Sequence, residues 1–223
     1  MSTASKYSKL VEGVIGEVEE SARVLRETGT LSASNIGFAF QRIPGEDKLI
    51  AANFPGLWKS NREIIATVVG FDGTVYDGDS QSGGAGAEFG KIFVERPEIN
   101  TVIHAHTAYL STWSNAQRTF PIRYVAAQRH TLAREIPVYI DRRVSQAAFI
   151  TEQLKINPQI PAILEGNGGA TFWGDGVTKT AQYIILLEEA ARFQTLAEAI
   201  GGPKEYGPGV LEQQWKMTGL KAA

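Results

Sequence analysis

Two long helix-periodic segments enclose a series of short apolar runs bounded by turn-forming residues, and this arrangement leaves one simple architecture: strands gathered into a sheet and covered by helices. In the first segment, residues 7–26, Leu10, Val11, Val14, Ile15, Val18, Ala22 and Leu25 make one apolar stripe, and Gly29 supplies a stop. The last, residues 177–200, carries a wider apolar face and ends at Gly201-Gly202-Pro203. Between them, residues 36–40, 49–52 and 64–69 read as antiparallel strands, with Asp72-Gly73 as a tight turn before Val75-Tyr76. Residues 80–86 are polar and Gly-rich, expected as a loop feeding a helix at 87–95 that Pro97 closes. Such a loop at a helix N-terminus can hold an anion. Farther on, 107–116 and 145–155 read as helices, and 138–140, 162–164 and 170–173 as short strands. The tail after Pro208 has no readable pattern, though Trp215 is a candidate anchor to a neighbour. The expected fold is α/β, with helices over a mainly antiparallel sheet.

A chain of 223 residues with 43% hydrophobic content supports one sizeable core, and nothing resembling a linker interrupts it, so a single domain over 1–223 is expected. The formal net charge of −2 and the lack of any basic tract argue against a nucleic-acid partner. With no cysteine, disulfides and thiolate chemistry are excluded, and any metal must be held by His, Asp, Glu or Asn. The first residues lead into an amphipathic pattern rather than a signal-type core, and no apolar stretch is long enough to span a bilayer. A soluble, cytoplasmic protein without a membrane partner is therefore expected.

Two of only three histidines, His104 and His106, follow the apolar run Thr-Val-Ile at 101–103. If that run is a strand, side chains at i and i+2 leave the same face, and two imidazoles can reach one divalent ion. Spacing alone leaves the metal open among Zn, Mn, Co and Mg.

The order Arg-Pro-Glu-Ile-Asn (96–100), Val-Ile-His-Ala-His-Thr-Ala-Tyr (102–109) and Ile-Leu-Glu-Gly-Asn-Gly (163–168), with Leu-Glu-Glu-Ala-Ala (187–191) in the last helix, resembles the class II aldolase/adducin family. The resemblance covers most of the chain. It implies a three-layer α/β/α fold around an antiparallel sheet, a homotetramer with sites near subunit interfaces, and a divalent metal held by three His. In aldolases of this type, the ion polarises a carbonyl and stabilises the enediolate formed on carbon–carbon cleavage. His104 and His106 match two of the metal ligands.

Other positions depart from the family pattern. The third ligand falls at Asn167, whose neutral carbonyl oxygen is harder than imidazole and better suited to Mg, Mn or Ca than to a tight zinc site. Glu165 is a candidate compensating carboxylate. The family's acid/base Glu aligns with Ala85, leaving Glu88, one helical turn on, as the substitute candidate. The phosphate-binding serines correspond to Gly83 and Gly84, and the other phosphate loop reads Ser34-Asn35-Ile36-Gly37, with Asn35 retained. Tyr124 matches the tyrosine that protonates or stabilises the intermediate. Arg123 belongs to a local cationic set with Arg118, Arg129 and His130 that suits a carboxylated substrate. The resemblance implies a metal-dependent lyase acting, by aldol cleavage or decarboxylation, on a small anionic molecule, either a hydroxy or oxo acid or a sugar-derived substrate. A non-catalytic, adducin-like interaction domain and a sugar-phosphate epimerase are the alternatives.

Overall fold

A computed structural model describes residues 6–79 and 83–220. Its centre is an eight-stranded sheet built from β1 (Gly37–Arg42), β2 (Lys48–Asn53), β3 (Ala66–Gly70), β4 (Val75–Asp77), β5 (Thr101–Ala105), β8 (Val138–Tyr139), β9 (Ala162–Glu165) and β10 (Ala170–Gly174), in the order β4-β3-β2-β1-β5-β10-β9-β8. Every neighbouring pair is antiparallel except β8 with β9. Helices α1 (Ser8–Glu27), α3 (Leu110–Asn115) and α6 (Val177–Ala197) pack on one face. Helices α2 (Gly83–Glu95) and α5 (Gln146–Ile156) cover the other. This is the three-layer α/β/α arrangement with a mainly antiparallel sheet that the family resemblance implied. No helix among the described residues is long and apolar enough to cross a membrane.

Alternation along the strands divides the core in two. Ala39, Ile50, Ile103, Leu164 and Phe172 face α1 and α6, whereas Phe40, Leu49, Val102, Ile163 and Trp173 face α2 and α5. Because the period is two, His104 falls with Val102 on the α2/α5 side, as does its register partner Thr171 on β10. Strand β5 lies between β1 and β10 in the middle of the sheet, so this polar pair is placed in the interior.

Several boundaries differ from the expected ones for identifiable reasons. Helix α2 begins at Gly83, so the part of the expected loop at 83–86 is helical; residues 80–82 lie outside the described set. Glycine is needed inside this helix because α2 lies close on β3: a Cβ at Gly90 would stand 2.6 Å from the Cα and carbonyl oxygen of Phe71. Helix α3 is shorter than expected, since Thr107 bridges to Leu31 and the Ala108 N–H donates to the Thr30 carbonyl before the helix starts. A small second sheet of β6 (Phe120–Pro121) and β7 (Glu135–Ile136), and the short helix α4 (Val125–Gln128), were not foreseen. The tail forms α7 (Val210–Met217), and Trp215 anchors it within the same chain, its Nε1 donating to the Gln128 carbonyl at 3.0 Å.

Candidate active site

His104 is held on three sides. Register places Phe38 opposite it on β1, and the two rings stack with centroids 4.8 Å apart and planes inclined by 17°. On the other side, its Nδ1 lies 2.7 Å from Glu165 Oε1 and 3.0 Å from Thr171 Oγ1. Gln146, the first residue of α5, closes the cluster by donating from Nε2 to Glu165 Oε1 at 2.6 Å and to Thr171 Oγ1 at 2.7 Å. Thr171 also donates to Glu165 Oε1 at 2.6 Å, and Arg142 Nη1 stands 3.3 Å from Oε2. Burial pushes the Glu165 carboxyl up, but the bonds from His104, Thr171 and Arg142 outweigh it and hold the group at about 2. Ionised Glu165 only accepts, so the proton of the His104 ring sits on Nδ1 and Nε2 is left for other work.

His106 lies just beyond the end of β5, its N–H donating to the Ile36 carbonyl. Its ring centroid is 5.2 Å from that of His104, with the planes at 69°. Burial, reinforced by neighbouring His104 and opposed by Glu165, lowers its pKa below 6.5, so the ring keeps a free lone pair at neutral pH. The turn joining β9 and β10 passes against this ring: a Cβ at Gly169 would meet His106 Cδ2 at 2.8 Å and the Ala105 carbonyl oxygen at 2.5 Å. Asn167 sits in that turn with φ of 60°. Its Oδ1 accepts from Gln117 Nε2 at 2.9 Å, and its N–H donates to the Ser114 carbonyl. Ser114 also donates its hydroxyl to the Glu165 carbonyl, so α3 pins the turn from below.

Among the described residues no group of three or more His, Cys, Asp or Glu side chains is arranged to hold a metal ion. The His pair nevertheless fits a divalent ion. Two adjacent imidazoles are available, and the Nδ1 of one is bonded to a buried carboxylate, the outer partner that orients metal-ligating His residues. The turn that brings Gly169 against His106 also carries the Asn167 carboxamide, a neutral group bonded to Gln117.

The remaining candidates are distributed over the molecule. Glu88 accepts from the Ala147 N–H at 2.9 Å, capping the start of α5 next to Gln146, and Oε2 faces Lys91. Asn35 is buried with φ of 53°; its Nδ2 donates to the Pro55 carbonyl at 2.6 Å, while Oδ1 has no partner among the described residues. Gly83 lies against the β3–β4 turn, where a Cβ would stand 2.6 Å from the Gly73 carbonyl oxygen, and Gly84 faces open space. Tyr124 packs on the α6 side of the sheet against Phe193, and its hydroxyl bonds Glu189, which raises its pKa. The fold therefore does not bring Tyr124 to the His pair of its own chain. Arg123 and Arg134 together hold Glu205, Arg129 binds Gln214, and Arg118 lies over Trp113, so much of the expected cationic set is engaged within the chain.

Two contributors carried no sequence signal. Thr171 and Gln146 are far from the His pair in sequence and meet it only through strand register and the docking of α5. Glu165, which the sequence marks as a candidate compensating carboxylate, bonds the His104 Nδ1. Glu188, within the 187–191 motif, accepts from the Tyr109 and Leu110 N–H groups and so fixes the segment leaving His106.

A three-layer sheet with paired imidazoles at the end of a central strand defines the class. The sequence pattern of the class II aldolase and adducin N-terminal domain matches residues 22–195, and the chain belongs to that family. Among solved structures it is similar to an L-fuculose 1-phosphate aldolase (17% identity over 93% of this chain and 97% of that one, TM-score 0.68). It is likewise similar to YgbL of Escherichia coli (17%, 92% and 99%, TM-score 0.71) and to an L-fuculose 1-phosphate aldolase of Glaciozyma antarctica PI12 (19%, 97% and 85%, TM-score 0.68). Identities this low establish a shared fold. No curated protein matches the chain in sequence.

Proposed function

We propose that this protein is a metal-dependent lyase that cleaves a carbon–carbon bond, by aldol cleavage or decarboxylation of a small anionic hydroxy or oxo acid. The observation that carries this reading is the Nδ1 bond from His104 to buried Glu165 at 2.7 Å, with a second imidazole centred 5.2 Å away. His104 and His106 would hold the ion, with Asn167 the candidate for a third position. When bound, a divalent ion polarises a carbonyl and stabilises the charge of the developing enolate.

The chain's own residues prepare that site. Glu165 keeps the His104 proton on Nδ1, Gln146 and Thr171 keep Glu165 in place, and Phe38 fixes the ring plane. Glu88 acts at one remove by capping the helix that presents Gln146. Arg142, half exposed and bonded to the Gly166 carbonyl, is a guanidinium at the edge of the cluster suited to a substrate carboxylate. Tyr124, on the opposite layer, reaches such a site only from a neighbouring copy, in keeping with a homotetramer whose sites lie near interfaces.

Metal analysis of the purified protein tests the proposal. A stoichiometric divalent metal that is lost in both His104→Ala and His106→Ala supports it. A metal-free protein, whose melting temperature ignores added Zn, Mn, Co and Mg, sinks it and favours the non-catalytic reading, which draws support from the engagement of Asn167 by Gln117.

A further inference from the structure

Phe38 has a second role besides stacking on His104: it lines a cavity of about 270 Å³ between β1, β2 and the start of α2. The walls are Phe38, Phe40, Ala51, Ala52, Ile65 and Ala85. Two polar residues complete the lining. The Asn53 amide is already engaged, with Nδ2 donating to the Phe54 carbonyl at 2.8 Å and to that of Glu63 at 3.3 Å, and Oδ1 accepting from the Ile65 N–H. The other, Asp79, is acidic, and its backbone N–H is bonded to Thr67. Among the described residues the cavity thus presents no Lys, Arg or His, and its one amide side chain is engaged. A phosphate dianion would lose its hydration to apolar walls and meet no cation among the described lining residues. An uncharged ring would remove the same walls from water at a gain.

We propose that this cavity binds an uncharged apolar group, an aryl ring or a short branched alkyl chain, as the tail of the substrate whose oxygens meet His104 and His106. The substrate class is then an aryl- or alkyl-substituted hydroxy or oxo acid rather than a sugar phosphate. The assignment to substrate rests on the lyase reading above; the apolar cavity does not. Its size matches one ring, below the span of larger ligand pockets.

The test uses the full chain with alanine methyl groups labelled for NMR, and benzyl alcohol as a probe that needs no metal. Contacts from its ring protons to the Ala51, Ala52 and Ala85 methyls are expected, and their absence overturns the proposal. In the zinc-loaded protein, benzohydroxamate should bind about tenfold or more tightly than acetohydroxamate, the scale of burying one apolar group. Ala85→Leu, which fills the cavity, should abolish that advantage and leave acetohydroxamate affinity unchanged. Tighter binding of phosphoglycolohydroxamate than of benzohydroxamate would overturn the proposal. Failure of acetohydroxamate to bind, with the benzyl alcohol contacts intact, would instead overturn the lyase reading and leave the cavity as an apolar ligand site in its own right.

Discussion

Replacing Glu165 with Gln keeps the outline of the side chain and removes the charge that orients His104. In the folded protein Glu165 Oε1 receives His104 Nδ1 at 2.7 Å and both Thr171 and Gln146 at 2.6 Å, while Oε2 faces Arg142. A carboxamide has one accepting oxygen. If that oxygen takes the Oε1 position, the amide nitrogen confronts the Arg142 donor; if it is reversed, three donors lose their acceptor. The first arrangement is the less costly, and losing charge-assisted bonds of this kind costs roughly 1.5–3 kcal/mol. Proton linkage gives an independent scale. The Glu165 carboxyl is held at about 2 against an ordinary 4.5, a difference corresponding to about 3 kcal/mol. Since the folded-state value lies below the unfolded one, this stabilisation is complete above about pH 4.5 and disappears as the pH falls toward 2. Urea denaturation should therefore find Glu165→Gln less stable by about 2–3 kcal/mol at pH 7, with the gap narrowing through the acid range. Metal affinity should fall by roughly 10–100-fold, the cost of losing an outer-shell partner. A stability gap that is absent at pH 7, or that stays constant as the pH falls, would refute the argument, as would an unchanged metal Kd.

Other substitutions probe separate parts of the structure. Asn167→His places an imidazole in the turn beside His106, at a φ of 60° that His tolerates; zinc affinity by calorimetric titration should rise about tenfold or more, and no change would show that the turn does not face the pair. Trp215→Ala should cost about 3 kcal/mol of local docking, read as faster hydrogen exchange across α7 with the sheet amides unaffected. Two glycines of α2 should respond in opposite senses. Gly90→Ala, which forces a Cβ onto the Phe71 backbone, should lower stability by about 1–3 kcal/mol, whereas Gly84→Ala, facing open space, should raise it by about 0.5–1 kcal/mol; calorimetric melting checks both.

Local pattern carried far into this fold. The helical stripes at both ends correspond to α1 and α6, the 101–103 run leads into β5, and the Asp72-Gly73 turn precedes β4. The shared face of His104 and His106 followed from strand periodicity alone. The start of α2 did not, because its glycines read as a flexible loop until the Gly73 turn packs against Gly83 and β3 against Gly86, leaving no room for a Cβ at either. Helix α7 was hidden for a related reason: its amphipathic pattern is short, and one tryptophan bonded to α4 secures it.

The sequence by itself determined the layering of the fold and the pairing of two imidazoles, since both depend on periodicities of a few residues that any local window displays. Only the tertiary structure decided what those imidazoles touch. Glu165 and Thr171 reach His104 from 61 and 67 positions along the chain, and Gln146 braces both of them, brought there by strand register and by α5 docking on the sheet. The same packing sent Tyr124 to the α6 layer and turned Asn167 toward Gln117, because a side chain's partners are set by which surfaces close together and not by its neighbours in sequence.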